Sequence, residues 1–128
     1  VQRRRSIPVR TTADLRAVVE EVVPPPYRLK ALARVFQALR IAVNDELGAL
    51  QDALACTPVL LAPGGRLVVL SYHSLEDRCV KEFLRQQSTS PMPTFRILTR
   101  KPLRPSADEV RRNPRSRSAR LRAAERLP

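Results

Sequence analysis

From Lys30 to Ala55 the apolar positions Leu32, Phe36, Leu39, Val43, Leu47, Leu50 and Leu54 step by 4, 3, 4, 4, 3 and 4. Residues three and four apart share one face of a helix, so this spacing predicts a single long amphipathic helix. Upstream, Leu15, Val18, Val19 and Val22 repeat at helical spacing behind Thr11-Thr12-Ala13-Asp14, which predicts a shorter helix with a threonine N-cap. Pro24-Pro25-Pro26 stops it, because three successive prolines have no amide hydrogens to give and fix φ. Residues 1–10 read as extended, and a module boundary is expected at the prolines.

Beyond the long helix the period changes. Pro63-Gly64-Gly65 reads as a turn, and Leu67-Val68-Val69-Leu70 is a continuous apolar run of the kind expected in a strand covered on both faces. A helix should begin near Ser74, which stands three residues before Asp77 in a variant of the capping box, with Leu75, Val80, Phe83 and Leu84 directed inward. Phe95 to Thr99 alternates enough for a strand. Ser106 with Glu109 opens a helix of one to two turns that Asn113-Pro114 ends. The last segment, Arg115 to Leu127, suits helix by its Ala and Arg content and strand by its alternation. Helix, glycine turn and buried strand form half of a βαβ unit, so the fold class is α/β.

Charge adds the first functional signal. Lys plus Arg number 24 against 12 acids in 128 residues, a net +12. The excess is confined to the flanks: residues 1–10 hold four Arg and no acid, residues 91–128 hold eleven Lys/Arg and three acids, and the middle is neutral. Almost all of it is Arg, which suits bidentate phosphate contacts and stacking on bases. A polyanion such as nucleic acid is the indicated partner, against the plainer reading of solvated basic termini.

Cys56 and Cys79 stand alone with a single histidine, His73, which supports neither a disulfide framework nor a zinc site. No apolar run approaches the length of a membrane span and no signal peptide opens the chain, so no membrane partner and a cytoplasmic setting are expected. The chain starts at Val1 inside an Arg run, which suggests a piece of a longer protein.

Candidate chemistry gathers at His73-Ser74-Leu75-Glu76-Asp77-Arg78, where a strand gives way to a helix. That is where open α/β sheets form ligand crevices. Ser74 is explained as a cap, and a Ser-His pair adjacent in sequence does not make a nucleophilic triad, so a hydrolase is excluded. Asn44 and Asp45, placed in the middle of the long helix, disfavour it by propensity and are candidates for contacts.

Four blocks in order, Phe36-Gln37-Ala38-Leu39-Arg40-Ile41 with Val43-Asn44-Asp45-Glu46-Leu47, Leu61 to Leu67, His73 to Arg78, and Asn113 to Arg122, resemble the MraW (RsmH) family. Its members are S-adenosylmethionine-dependent methyltransferases acting on the N4 amine of a cytidine in small-subunit ribosomal RNA. The resemblance implies the carboxyl-terminal part of a Rossmann-like methyltransferase fold, with three strands and their helices over residues 28–128. Residues 1–27 would be the end of a helical insertion. It also implies that Phe95 to Thr99 and Ala119 to Leu127 are an antiparallel edge pair, which resolves the tail as strand.

For the site, the resemblance implies that His73, Glu76 and Asp77 face the target cytidine, as groups that orient or deprotonate the amine. The competing reading is that the acids merely finish a helix terminus. Arg115, Arg117, Arg120 and Arg122, with Asn113, Arg100 and Lys101, are the RNA-contact candidates; the alternative for the arginines is solvation or pairing with acids such as Glu125 or Asp108. The cofactor loop of such folds needs glycines after the first strand. Only Gly48, Gly64 and Gly65 occur, with no G-x-G. No cofactor-binding or metal-binding residue is therefore expected in this chain, and the chain alone is expected to be inactive while its parent uses S-adenosylmethionine. An incomplete sheet should leave an apolar edge, so a homo-oligomer is expected. The rival reading is a non-enzymatic basic RNA-binding module.

Overall fold

The computed structural model describes residues 8–128, and most of the extended segment expected over residues 1–10 lies outside them. The chain divides into two compact units, Val1–Glu46 and Leu47–Pro128.

In the first unit, helix α1 covers Thr12–Val22 and is capped by Thr11, whose hydroxyl accepts from the Asp14 amide while the Asp14 carboxylate accepts from the Thr11 amide. The prolines end it as expected, and a short 3₁₀ turn, Pro25–Tyr27, leads into α2, Arg28–Asn44. The single long helix expected from Lys30 to Ala55 is not formed. Asp45 takes φ 48°, ψ 42° and closes α2 as a left-handed C-cap, and α3 starts afresh over Glu46–Leu60. Aspartate is among the few L residues that enter this region without prohibitive strain.

The second unit holds the sheet. α3 runs through Pro58, which cannot donate to the Leu54 carbonyl; the Thr57 hydroxyl donates there instead at 2.7 Å. The glycine turn follows, with Gly64 at φ +80°. Strands β1 (Arg66–Ser71), β2 (Phe95–Ile97) and β3 (Arg120–Arg126) form a three-stranded sheet in the order β1-β3-β2. Both pairings are antiparallel, with Val69 opposite Arg122, Ser71 opposite Arg120 and Ile97 opposite Ala124. Helix α4 (Ser74–Thr89) follows β1, and α5 (Ala107–Arg112) precedes a 3₁₀ turn, Pro114–Ser118, that feeds β3.

The core lies on one face of the sheet, where Leu54 of α3, Val80 and Leu84 of α4, Phe95 and Ala124 are buried together. Each large apolar side chain removed from water there contributes roughly 1.5–3 kcal/mol. β1 is not covered on both faces as its apolar run suggested. Leu67 and Val69 pack on the core, whereas Val68 and Leu70 on the other face are 56% and 51% exposed. Leu75, expected to point inward, is exposed at the lip of a cavity of about 460 Å³ lined also by Leu47, Leu54, Cys79 and Phe83. Among the described residues no helix is long and apolar enough to cross a membrane.

Candidate functional site

The site is built where β1 ends. Strand pairing holds Ser71, which is buried, and the chain then turns through Tyr72 and His73 into α4. The N-cap is His73, one residue earlier than the expected Ser74. Its Nδ1 accepts from the Glu76 amide at 3.3 Å, and Glu76 Oε2 accepts from the amides of Tyr72 at 2.8 Å and His73 at 3.2 Å. This is a capping box with an imidazole in place of a hydroxyl.

The box fixes the histidine's chemistry. Because Nδ1 accepts, the ring proton sits on Nε2. Nε2 lies 3.2 Å from Glu76 Oε1 but off the line of a hydrogen bond, so it is a buried polar atom with an electrostatic neighbour and, among the described residues, no hydrogen-bond partner.

Asp77 takes no part in the cap. It faces β3, where Arg122 Nε donates to its Oδ1 at 2.7 Å and Arg120 Nη1 donates to its Oδ2 at 3.0 Å. Burial alone would raise the Asp77 pKa; the hydrogen bonds and charges of Arg122 and Arg120 outweigh it and hold the carboxyl below its ordinary range. Arg120 and Arg122 alternate along β3, so both reach the α4 side of the sheet.

The remaining RNA-contact candidates lie outside this cluster. Arg100 and Lys101 are exposed in the loop after β2, Asn113 is exposed at the end of α5, and Arg115 and Arg117 are exposed on the 3₁₀ turn before β3. Among the described residues, none of these four cations is in an ion pair. The Asn113 carbonyl is taken by the Ser116 amide and hydroxyl. Both basic segments adjoin β3: Leu103, just past Lys101, exchanges two backbone hydrogen bonds with Leu121, and the 3₁₀ turn runs directly into Arg120.

Two structural roles were not assigned from the sequence, which offered Glu125 only as a partner for Arg115, Arg117, Arg120 or Arg122. Glu125 sits on central β3 between Arg66 and Arg96, at 3.7 and 2.7 Å. Arg126 donates to the carbonyls of Pro58, Thr94 and Leu127, joining the end of α3 to the sheet. Only strand register reveals them, and register needs the pairing of segments far apart in sequence.

Comparison with known proteins gives the geometry a lineage. The model of the MraW methylase family matches residues 1–127. Proteins named ribosomal RNA small subunit methyltransferase H from Thermomicrobium roseum and Rhodospirillum centenum are each 50% identical over 99% and 98% of this chain. The one from Kosmotoga olearia is 50% identical over 94%. The chain spans 43%, 43% and 41% of these relatives, less than half their length. Its helices and three strands are the carboxyl-terminal part of a Rossmann-like methyltransferase fold, and the chain belongs to the MraW methylase family.

Proposed function

We propose that this chain is part of an enzyme that transfers a methyl group from S-adenosylmethionine to the N4 amine of a cytidine in small-subunit ribosomal RNA, acting in the cytoplasm. The observation that carries the reading is the family match joined to the polar cluster of His73, Glu76 and Asp77 at the end of β1. Residues 1–27 are taken as the end of a helical insertion and residues 28–128 as the last part of the catalytic domain.

Within that reading His73 and Glu76 hold the Tyr72–Ser74 backbone rigid beside the target base. Methylating an exocyclic amine demands aim more than acid-base strength. Asp77 is a positioning residue, since its oxygens are committed to Arg120 and Arg122. The exposed Arg100, Lys101, Arg115 and Arg117 supply phosphate contacts.

The cofactor is assigned to the longer protein. The single Gly-Gly turn here is closed upon its own sheet: Gly64 N–H donates to the Arg126 carbonyl and Gly65 N–H to the Ala62 carbonyl, both at 2.8 Å. Gly48 lies within α3. These residues do not fit a cradle in which glycine backbone approaches a ligand, so the isolated chain should neither bind the methyl donor nor turn over. The partial sheet leaves β1 with an open edge, and the isolated chain should therefore self-associate.

The test has two arms. A longer protein containing this chain should methylate the small subunit at N4 of one cytidine, mapped by mass spectrometry of rRNA digests. The chain alone should give no heat on calorimetric titration with S-adenosylmethionine. Methylation of another atom, or micromolar donor binding by the chain alone, overturns the proposal. The second reading, a basic RNA-binding module, rests on the exposed cations that are unpaired among the described residues and predicts RNA binding with no methylation by any longer form.

A further inference from the structure

The Asp77 cluster is unbalanced: one carboxylate faces two guanidinium groups, leaving one positive charge in excess. The two arginines share it unequally. Arg122 grips both carboxylate oxygens, at 2.7 and 3.4 Å, and only 9% of its side chain is exposed. Arg120 makes one bond, at 3.0 Å through Nη1, and 29% of its side chain is exposed. A guanidinium carries five N–H donors. Among the described residues Arg120 therefore keeps its Nε and Nη2 donors without a protein partner, on a side chain that is partly open to solvent.

We propose that Arg120 is a phosphate-binding residue aimed by Asp77, whereas Arg122 neutralises Asp77 and contacts no ligand. One end of the Arg120 guanidinium is anchored, which removes much of the rotamer entropy a free arginine loses on binding. The other end offers the paired donors that match a phosphodiester's two oxygens. Its position is defined twice over, by pairing opposite Ser71 at the end of β1 and by following the turn that carries Arg115 and Arg117. It thus joins the exposed basic turn to the His73 loop, and the phosphate it takes is one close to the nucleotide held there. This inference rests on the RNA-directed part of the proposed function and is independent of methyl transfer.

The experiment measures binding of a labelled single-stranded RNA to the whole chain by fluorescence anisotropy between low and moderate salt. One lost phosphate contact reduces the slope of log K against log salt by about 0.7. Arg120→Gln should show that reduction with several-fold weaker binding at low salt, and Arg120→Lys should restore the slope. Arg66→Gln removes an equally basic side chain, one that is paired with Glu125 on the same sheet, and should leave the slope unchanged. An unaltered slope in Arg120→Gln, an equal fall in Arg66→Gln, or a fall in a folded Arg120→Lys overturns the assignment. Should Arg120→Gln fail to fold, bound RNA should protect Arg120 of the wild-type chain from an arginine-selective dicarbonyl reagent, read by mass spectrometry, and equal modification of Arg120 with and without RNA overturns the assignment. Wild-type chain that binds no RNA at low salt removes the RNA reading and this inference together. A methylation assay that fails while the slopes behave as stated removes only the enzymatic reading.

Discussion

Arg122 reaches back 45 residues along the chain to place its Nε 2.7 Å from Asp77 Oδ1. The contact ties central strand β3 to the first turns of α4 and so holds the His73 loop in place. Both side chains are about nine-tenths buried. Removing one member of a buried pair strands the other's charge, at a cost of roughly 3–5 kcal/mol. Asp77→Asn should therefore lower unfolding stability by about 3 kcal/mol in urea titrations, because the amide still accepts one hydrogen bond. Combined with Arg122→Gln the loss should fall well short of the sum. Additive losses would mean that the pair does not act as a unit.

The same carboxylate sets an acid limit. Burial opposes its ionisation, but Arg122 and Arg120 prevail and its folded pKa lies below the unfolded value of about 3.9. On acidification the unfolded state takes up its proton first. The stabilisation is complete above about pH 5 and is lost as pH falls through the folded pKa. Asp14 is lowered in the same direction by the Arg10 amide, then by the Thr11 amide and hydroxyl, so a variant is needed to separate them. The melting temperature of Asp77→Asn should vary less than wild type between about pH 5 and pH 2. Parallel curves would remove Asp77 from the acid limb.

His73 caps α4 with an imidazole, and the cap is separable from any role of the ring toward the target base. His73→Ala should cost about 1 kcal/mol of stability through the lost cap. Serine caps at least as well, so His73→Ser should recover that stability. If the imidazole serves the target base, the serine variant of a methylating longer protein should still lose turnover, with kcat falling more than KM changes. Recovery of both stability and turnover would leave His73 with a capping role alone.

What the sequence made legible is what local pattern controls. α1 and its threonine cap, the proline stop, the glycine turn and the short capped α5 all follow from residues adjacent to one another. The cap of α4 did not, because His73 to Glu76 and Ser74 to Asp77 share the same spacing. The choice was made by Arg120 and Arg122, more than forty residues away, which claim Asp77. The apolar run of β1 likewise gave no sign that Val68 and Leu70 would face outward in this chain. Basic side chains could be counted from sequence, but which of them face acids depended on register.

The break at Asp45 escaped detection because the apolar steps pass through it undisturbed. Its left-handed backbone makes a specific prediction. A glycine carries no Cβ penalty there, so Asp45→Gly should hold or raise stability by up to about 1 kcal/mol. Asp45→Val should lose about 1–2 kcal/mol to strain. The order Gly, Asp, Val in thermal melts checks it. Stability highest for valine would indicate a continuous helix from α2 into α3.

The two cysteines should differ sharply in reactivity. Cys56 is exposed on α3, whereas Cys79 is half-buried in the wall of the cavity beside α4. Burial pushes the Cys79 thiol up, against a smaller opposing hydrogen bond from Gln51. Since the thiolate is the reacting form, a raised pKa and restricted access both slow Cys79. Titration of the native chain with a chromogenic disulfide reagent should show one fast thiol, which Cys56→Ser removes. The slow thiol should become fast only in denaturant. Two fast phases in the native protein would mean that the cavity opens readily, and the packing of α4 against the Leu54 cluster would then be weaker than its burial implies.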